Sequence, residues 1–123
     1  METNETSSAF TLGPWRVGTR NYATNRAYVW TDREYPKGAF IAEVSGEYMD
    51  AVEPNARLIA QSPAMFDLVL AYRQECSDQI QQCRDDLKEN FGDADDVLEM
   101  LDYWKERRSQ CDSVLAKVYG KAA

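Results

Sequence analysis

A chain of 123 residues with 44% hydrophobic content is one domain's worth of protein with enough apolar material to form a core. Its net charge of −7 disfavours direct binding to nucleic acid, whose phosphates would be repelled. The absence of histidine removes the commonest general base near neutral pH and every Ser-His or Cys-His nucleophile arrangement. No H-E-x-x-H or glycine-rich phosphate loop is present, so the chain reads as a non-enzyme needing no cofactor and no metal. Cys76, Cys83 and Cys111 show no paired spacing and read as small buried apolar residues rather than a disulfide framework or zinc ligands. No apolar run approaches the roughly 20 residues of a membrane span, and no basic-then-apolar leader is seen. The expectation is a soluble, cytoplasmic protein with no membrane partner.

In chain order, residues 1–9 are polar and small and are expected to form a flexible tail. Gly13-Pro14 signals a turn, after which alternation puts Trp15 and Val17 on one face of a first strand. Residues 19–26 read as a polar loop, Ala27 to Thr31 as a second strand, Pro36-Lys37-Gly38 as a turn, and Ala39 to Val44 as a third strand. Residues 46–54 read as a linker, and Pro54 marks the start of a short helix over 55–61.

Residues 63–120 predict a long helical hairpin. Ser62 and Pro63 suit a helix start, and Met65, Val69, Tyr72, Cys76, Ile80, Cys83 and Leu87 recur at spacings of three and four. Gly92 is expected at the C′ position that ends this helix. The second helix runs from about Asp95 to Tyr119, with Val97, Leu101, Trp104, Arg108, Cys111, Leu115 and Val118 as its stripe and Gly120 as its stop. Two helices of roughly 25 residues, on the order of 37 Å each, project beyond what the remaining residues can cover. A symmetric homo-oligomer is the economical answer. The predicted architecture is therefore α+β: one domain over 1–123, with a small N-terminal antiparallel sheet over 10–45, a short helix, and two long C-terminal helices.

Several residues invite a functional reading, each beside a plainer one. Arg108 sits on the stripe that should be buried, where an unpaired guanidinium is costly and needs an acid, a phosphate or solvent. With adjacent Arg107 it could grip a diphosphate by bidentate bonds; the plainer readings are an intersubunit ion pair for Arg108 and a solvated position for Arg107. Phe10 and Trp15 could stack on a purine, or Trp15 could plug the core between sheet and helix. Asn90 and Phe91 could offer an amide and a stacking face, Asn90 equally a helix C-cap; Tyr103 shares a flank with Arg107. Asn55 and Arg57, placed in the first turn of the short helix, could form a second anion site, or Arg57 could pair with Glu53 or Asp50. The acids Asp85, Asp86, Glu89, Asp93, Asp95, Asp96, Glu99 and Asp102 surround the hairpin turn, either imitating a nucleic-acid backbone or keeping a charged tip solvated.

Gly13-Pro14-Trp15-Arg16-Val17 followed by Asn55-Ala56-Arg57-Leu58-Ile59-Ala60-Gln61-Ser62-Pro63 resembles a pattern of many short phage and prophage proteins, "PW-x-V" before a sheet and "NARLIA-x-x-P" opening the helical part. The order of sheet and then two long helices is similar to the phage Thoeris anti-defence family of the first type. That resemblance implies a sponge for cyclic ADP-ribose isomers, and for cyclic oligonucleotides of CBASS at a separate site, acting as a dimer or hexamer without cleaving its ligand. It assigns signal binding to Phe10, Trp15, Asn90, Arg107 and Arg108, and the second site to Arg57. The alternative is an acidic, anti-CRISPR-like phage inhibitor that blocks a host complex; a third reading is a morphogenetic protein whose helices simply assemble.

Overall fold

A computed structural model describes residues 10–32, 38–46 and 49–121. The expected tail over residues 1–9 and the turn at Pro36 and Lys37 lie outside the described residues. The chain is α+β, with element order β1 (Trp15–Asn21), β2 (Arg26–Thr31), β3 (Phe40–Ser45), α1 (Met49–Ala60), α2 (Ser62–Lys88) and α3 (Ala94–Val118). It divides into two compact units, Met1–Phe66 and Asp67–Ala123. No helix among the described residues is long and apolar enough to cross a membrane.

In the first unit the strands form an antiparallel sheet in the order β1-β2-β3. Alternation along β2 sends Ala27, Val29 and Thr31 inward. Ala27 and Val29 join Val44 of β3 and Val52, Ala56 and Ala60 of α1 in one core, flanked by Trp15, Val17, Ile41 and Ile59. The inward Thr31 hydroxyl accepts the amide of Ala39 at 2.7 Å, so its burial leaves no orphaned polar group.

Two boundaries differ from expectation. The polar stretch from residue 19 is not all loop: β1 runs to Asn21 and β2 starts at Arg26, leaving a turn over 22–25. A bulge between Val17 and Arg20 shifts the register and breaks the simple alternation that would have revealed the longer strand. Asn21 Oδ1 then accepts the amides of Ala23 and Thr24, and Asn25 takes φ +55°, a left-handed conformation that asparagine tolerates. Arg20 clamps this turn, donating to the Arg26 carbonyl at 3.1 Å and to Asn25 Oδ1 at 2.9 Å, stacking on Tyr22 at 4.6 Å, and approaching Glu53 at 3.6 Å. Secondly, α1 begins at Met49, so Pro54 lies inside the helix rather than at its start. Proline there removes one backbone hydrogen bond, which the burial of Val52, Ala56 and Ala60 against the sheet offsets.

In the second unit α2 and α3 run antiparallel, as the cross-helix ion pair Arg73–Asp112 and the Arg108–Ser77 hydrogen bond require. Ile80 and Cys83 pack against Val97 and Leu101, with Leu87 and Trp104 at the margin. Cys111 and Leu115 continue the buried stripe of α3, as the spacing predicted. Met65, Tyr72 and Val118, expected on the buried stripes, are instead 45%, 40% and 46% exposed. Tyr72 and Val118 sit at the edges of their stripes, and Met65 belongs to the first unit.

The helix ends follow one device used twice. At the end of α2, Asn90 and not Gly92 is the C′ residue, at φ +54°. The amide of Phe91 donates to the Asp86 carbonyl at 2.8 Å and that of Asn90 to Leu87 at 3.3 Å, which is a Schellman motif. At the end of α3, Gly120 at φ +77° does the same, with Lys121 bonded to Ala116 at 2.7 Å and Gly120 to Lys117 at 3.1 Å. Asp93 is the N-cap of α3, its Oδ1 accepting from the amides of Asp95 and Asp96.

Candidate ligand-binding residues

The two arginines of α3 differ in setting. Arg108 lies half-buried on the core-facing stripe, where it donates to Ser77 Oγ of α2 at 3.3 Å. Arg107, one residue on, is exposed and lays its guanidinium 4.9 Å from the centre of the Tyr103 ring. Tyr103 meets Trp104 edge-on at 5.1 Å, and Tyr72 of α2 stands 6.4 Å from Trp104. Hydrogen bonding to Tyr103 pushes the Arg107 guanidinium above its ordinary pKa. Desolvation, and then the neighbouring Tyr103, raise the Tyr72 hydroxyl in the same direction. Arg16, Arg20, Arg26, Arg57 and Arg73 each meet a carboxylate. Among the described residues Arg84, Arg107 and Arg108 have none, and of these only Arg107 and Arg108 are adjacent.

Asn90 and Phe91 stand at the other end of the hairpin. Asn90 serves as the helix terminus, and Phe91 is 70% exposed. Roughly 20 Å of helix axis, at 1.5 Å per residue, separates the start of α3 from Arg107. One copy of the chain therefore does not bring Asn90 and the two arginines together.

Phe10 and Trp15 belong to the first unit, where both are used in packing. Phe10 meets Phe66 edge-to-face at 4.9 Å. Trp15 opens β1 and lies against the sheet–helix core, its indole Nε1 buried with no hydrogen-bond partner among the described residues. The helix N-terminus proposed around Asn55 and Arg57 is not there. With α1 starting at Met49, both residues fall in its later half and Arg57 in its last turn, where the helix dipole favours cations over anions. Arg57 lies 3.9 Å from Glu53, one turn earlier, in an exposed pair of small energetic weight.

Part of the acidic cluster has local work. Asp85 and Asp86 accept from Gln81 and Gln82, Asp93 caps α3, and Asp95 and Asp96 sit in the first turn, which favours negative charge. Sequence reasoning missed Ser77 as the partner of Arg108 and Tyr72 as a neighbour of Trp104. It also missed the aromatic group on the outer face of the sheet, where Phe40 lies 5.2 Å from Trp30 and 6.3 Å from Tyr28. The alternation of β2 was the available signal: if Val29 faces in, Tyr28 and Trp30 face out. Compared with protein-family models, curated proteins and solved structures, the chain matches none of them.

Proposed function

We propose that this chain is a phage-encoded, non-catalytic binding protein of the host cytoplasm. It sequesters cyclic nucleotide immune signals, cyclic ADP-ribose isomers first among them and cyclic oligonucleotides second, without cleaving them. One observation carries the reading: Arg107 and Arg108 are adjacent, lack a carboxylate partner among the described residues, and lie beside the half-exposed Tyr103 ring, in a chain of net charge −7 with acids to spare. Guanidinium forks recognise phosphate oxygens bidentately, and an aromatic face accepts a base. Their own chain holds Asn90 and Phe91 at the far end of the hairpin, so in this reading they contact the ligand only from a further copy in an oligomer larger than a dimer.

Titration calorimetry against cyclic ADP-ribose isomers and a panel of cyclic di- and trinucleotides tests this. Saturable binding, with ligand recovered unchanged on heating, is expected. Arg108→Glu should abolish it while leaving helix content intact, and binding that survives that change places the pocket elsewhere. The alternative of an acidic inhibitor draws on the exposed acids Glu89, Glu99 and Asp102 near the hairpin turn, whose carboxylates make no hydrogen bond or ion pair among the described residues. Absence of heat with every nucleotide, together with capture of a host complex that is lost when these acids are neutralised, would favour it.

A further inference from the structure

The apolar arc of α3 is wider than its neighbour covers. Val97, Leu101, Cys111 and Leu115 are buried, yet Met100, Tyr103, Val114 and Val118 remain 51%, 48%, 48% and 46% exposed. At 3.6 residues per turn these four and Arg107 fall within an arc of about 60°, directly beside the buried stripe. Their spacing of three, four, seven and four is that of a second helix–helix seam.

The charge along α3 says what covers this seam. Its first turns carry Asp95, Asp96, Glu99 and Asp102 with no basic residue, whereas its later turns carry Lys105, Arg107, Arg108 and Lys117 against Glu106 and Asp112. A parallel copy would stack acid on acid. An antiparallel copy sets the acidic end of each helix against the basic end of the other. We propose that a second copy of this chain docks antiparallel along this stripe, about a two-fold axis between Arg108 and Ser109. In that register Tyr103 lies level with the partner's Val114, while Met100 and the partner's Val118, and Glu99 and the partner's Lys117, lie within one residue of level, about 1.5 Å along the axis. Every exposed apolar residue of the stripe meets an apolar residue, and the one charged flank pair is of opposite sign. The Arg107 side chains of the two copies flank the axis, where their mutual repulsion makes an anion welcome. The interface itself stands on the apolar arc and the charge pattern, independently of nucleotide binding.

The test is sedimentation equilibrium of the full chain without ligand, with far-UV circular dichroism as the check on folding. The wild-type mass is expected near twice 14.1 kDa. Val114→Glu, at an exposed position, should yield a monomer of unchanged helicity. Glu99→Lys and Lys117→Glu should each weaken association roughly tenfold by replacing two attractive pairs with repulsive ones, and the double exchange should restore it. A wild-type monomer at tens of micromolar would overturn the interface, as would a Val114→Glu dimer of wild-type strength. A double exchange no better than the singles would overturn the antiparallel register. All of these are read without nucleotide, so their failure is distinct from failure of the sponge reading.

Discussion

Asn90 offers a perturbation in which backbone and side-chain roles separate. Its φ of +54° places it in the left-handed region, and the two hydrogen bonds from Phe91 and Asn90 to the carbonyls of Asp86 and Leu87 hold it there. A Cβ-bearing residue without a local polar side chain pays about 1–2 kcal/mol in that conformation, and glycine pays almost nothing. Asn90→Ala is therefore expected to destabilise the helical hairpin by about 1 kcal/mol, and Asn90→Gly to match or exceed the wild type, leaving a gap of about 1–2 kcal/mol between the variants. In a chain of this size that gap corresponds to roughly 3–10 °C in Tm, within reach of thermal melts followed at 222 nm. Equal stability of the two variants would refute the argument, because it would mean that the turn does not hold residue 90 left-handed. The same pair divides structure from ligand: Asn90→Gly keeps the backbone and deletes the amide. If Asn90 also binds nucleotide, the glycine variant loses affinity at full stability; if affinity is unchanged, Asn90 is a helix terminus alone.

Other outcomes follow from the packing. Ile80, 1% exposed at the centre of the hairpin core, should cost about 2–5 kcal/mol as Ile80→Ala in urea denaturation, since a cavity there has little to collapse into it. Asp93→Ala should cost about 1 kcal/mol by removing the acceptor for two amides at the start of α3, with Asp93→Asn milder. Gly13→Ala should destabilise the first unit by about 1–3 kcal/mol, because a Cβ there would stand 2.5 Å from Pro63 Cβ. Burial pushes the Cys76 and Cys83 thiols above their ordinary pKa, so the native state keeps its protons to higher pH than the unfolded chain does. Stability from this source is fully present below the unfolded thiol pKa and falls as pH rises beyond about 8.5, which a stability profile over alkaline pH would show; a flat profile would mean that these thiols ionise as freely in the folded state.

Legibility in the sequence tracked how directly each feature depends on periodicity. The α3 stripe could be read off because one face of a long helix repeats its environment over seven turns, and Val97, Leu101, Cys111 and Leu115 are buried as that repeat requires. The inward face of β2 was equally plain. What could not be read were features in which a single contact overrides a local preference. Pro54 marks a helix start by propensity, but Val52, Ala56 and Ala60 supply enough burial on one side to carry the helix through it. Residues 19–21 look like loop because the bulge after Val17 interrupts the alternation, and Arg20 is then held by the hairpin it closes. Gly92 and Asn90 both accept positive φ, and only the hydrogen bonds to Asp86 and Leu87 decide that Asn90 ends the helix.

The arginines carry the argument furthest, because their neighbours differ from what charge statistics suggest. Arg73, with no better claim on an acid than Arg107, finds Asp112 across the hairpin, and Arg26 finds Glu43 across the sheet. Arg108 faces Ser77 instead, a neutral hydroxyl that satisfies one donor and leaves the charge uncompensated. A half-buried guanidinium so placed costs stability that a carboxylate at position 77 would recover. Ser77→Asp should therefore stabilise the hairpin, by about 1 kcal/mol in denaturant titration given partial burial, and should at the same time weaken nucleotide binding by supplying the counter-charge in place of a phosphate. Stabilisation with undiminished binding would show that Arg108 is a packing residue and leave Arg107 alone as the anion contact. Loss of stability would show that the space beside Ser77 does not admit a carboxylate, and the charge argument at Arg108 would fall with it.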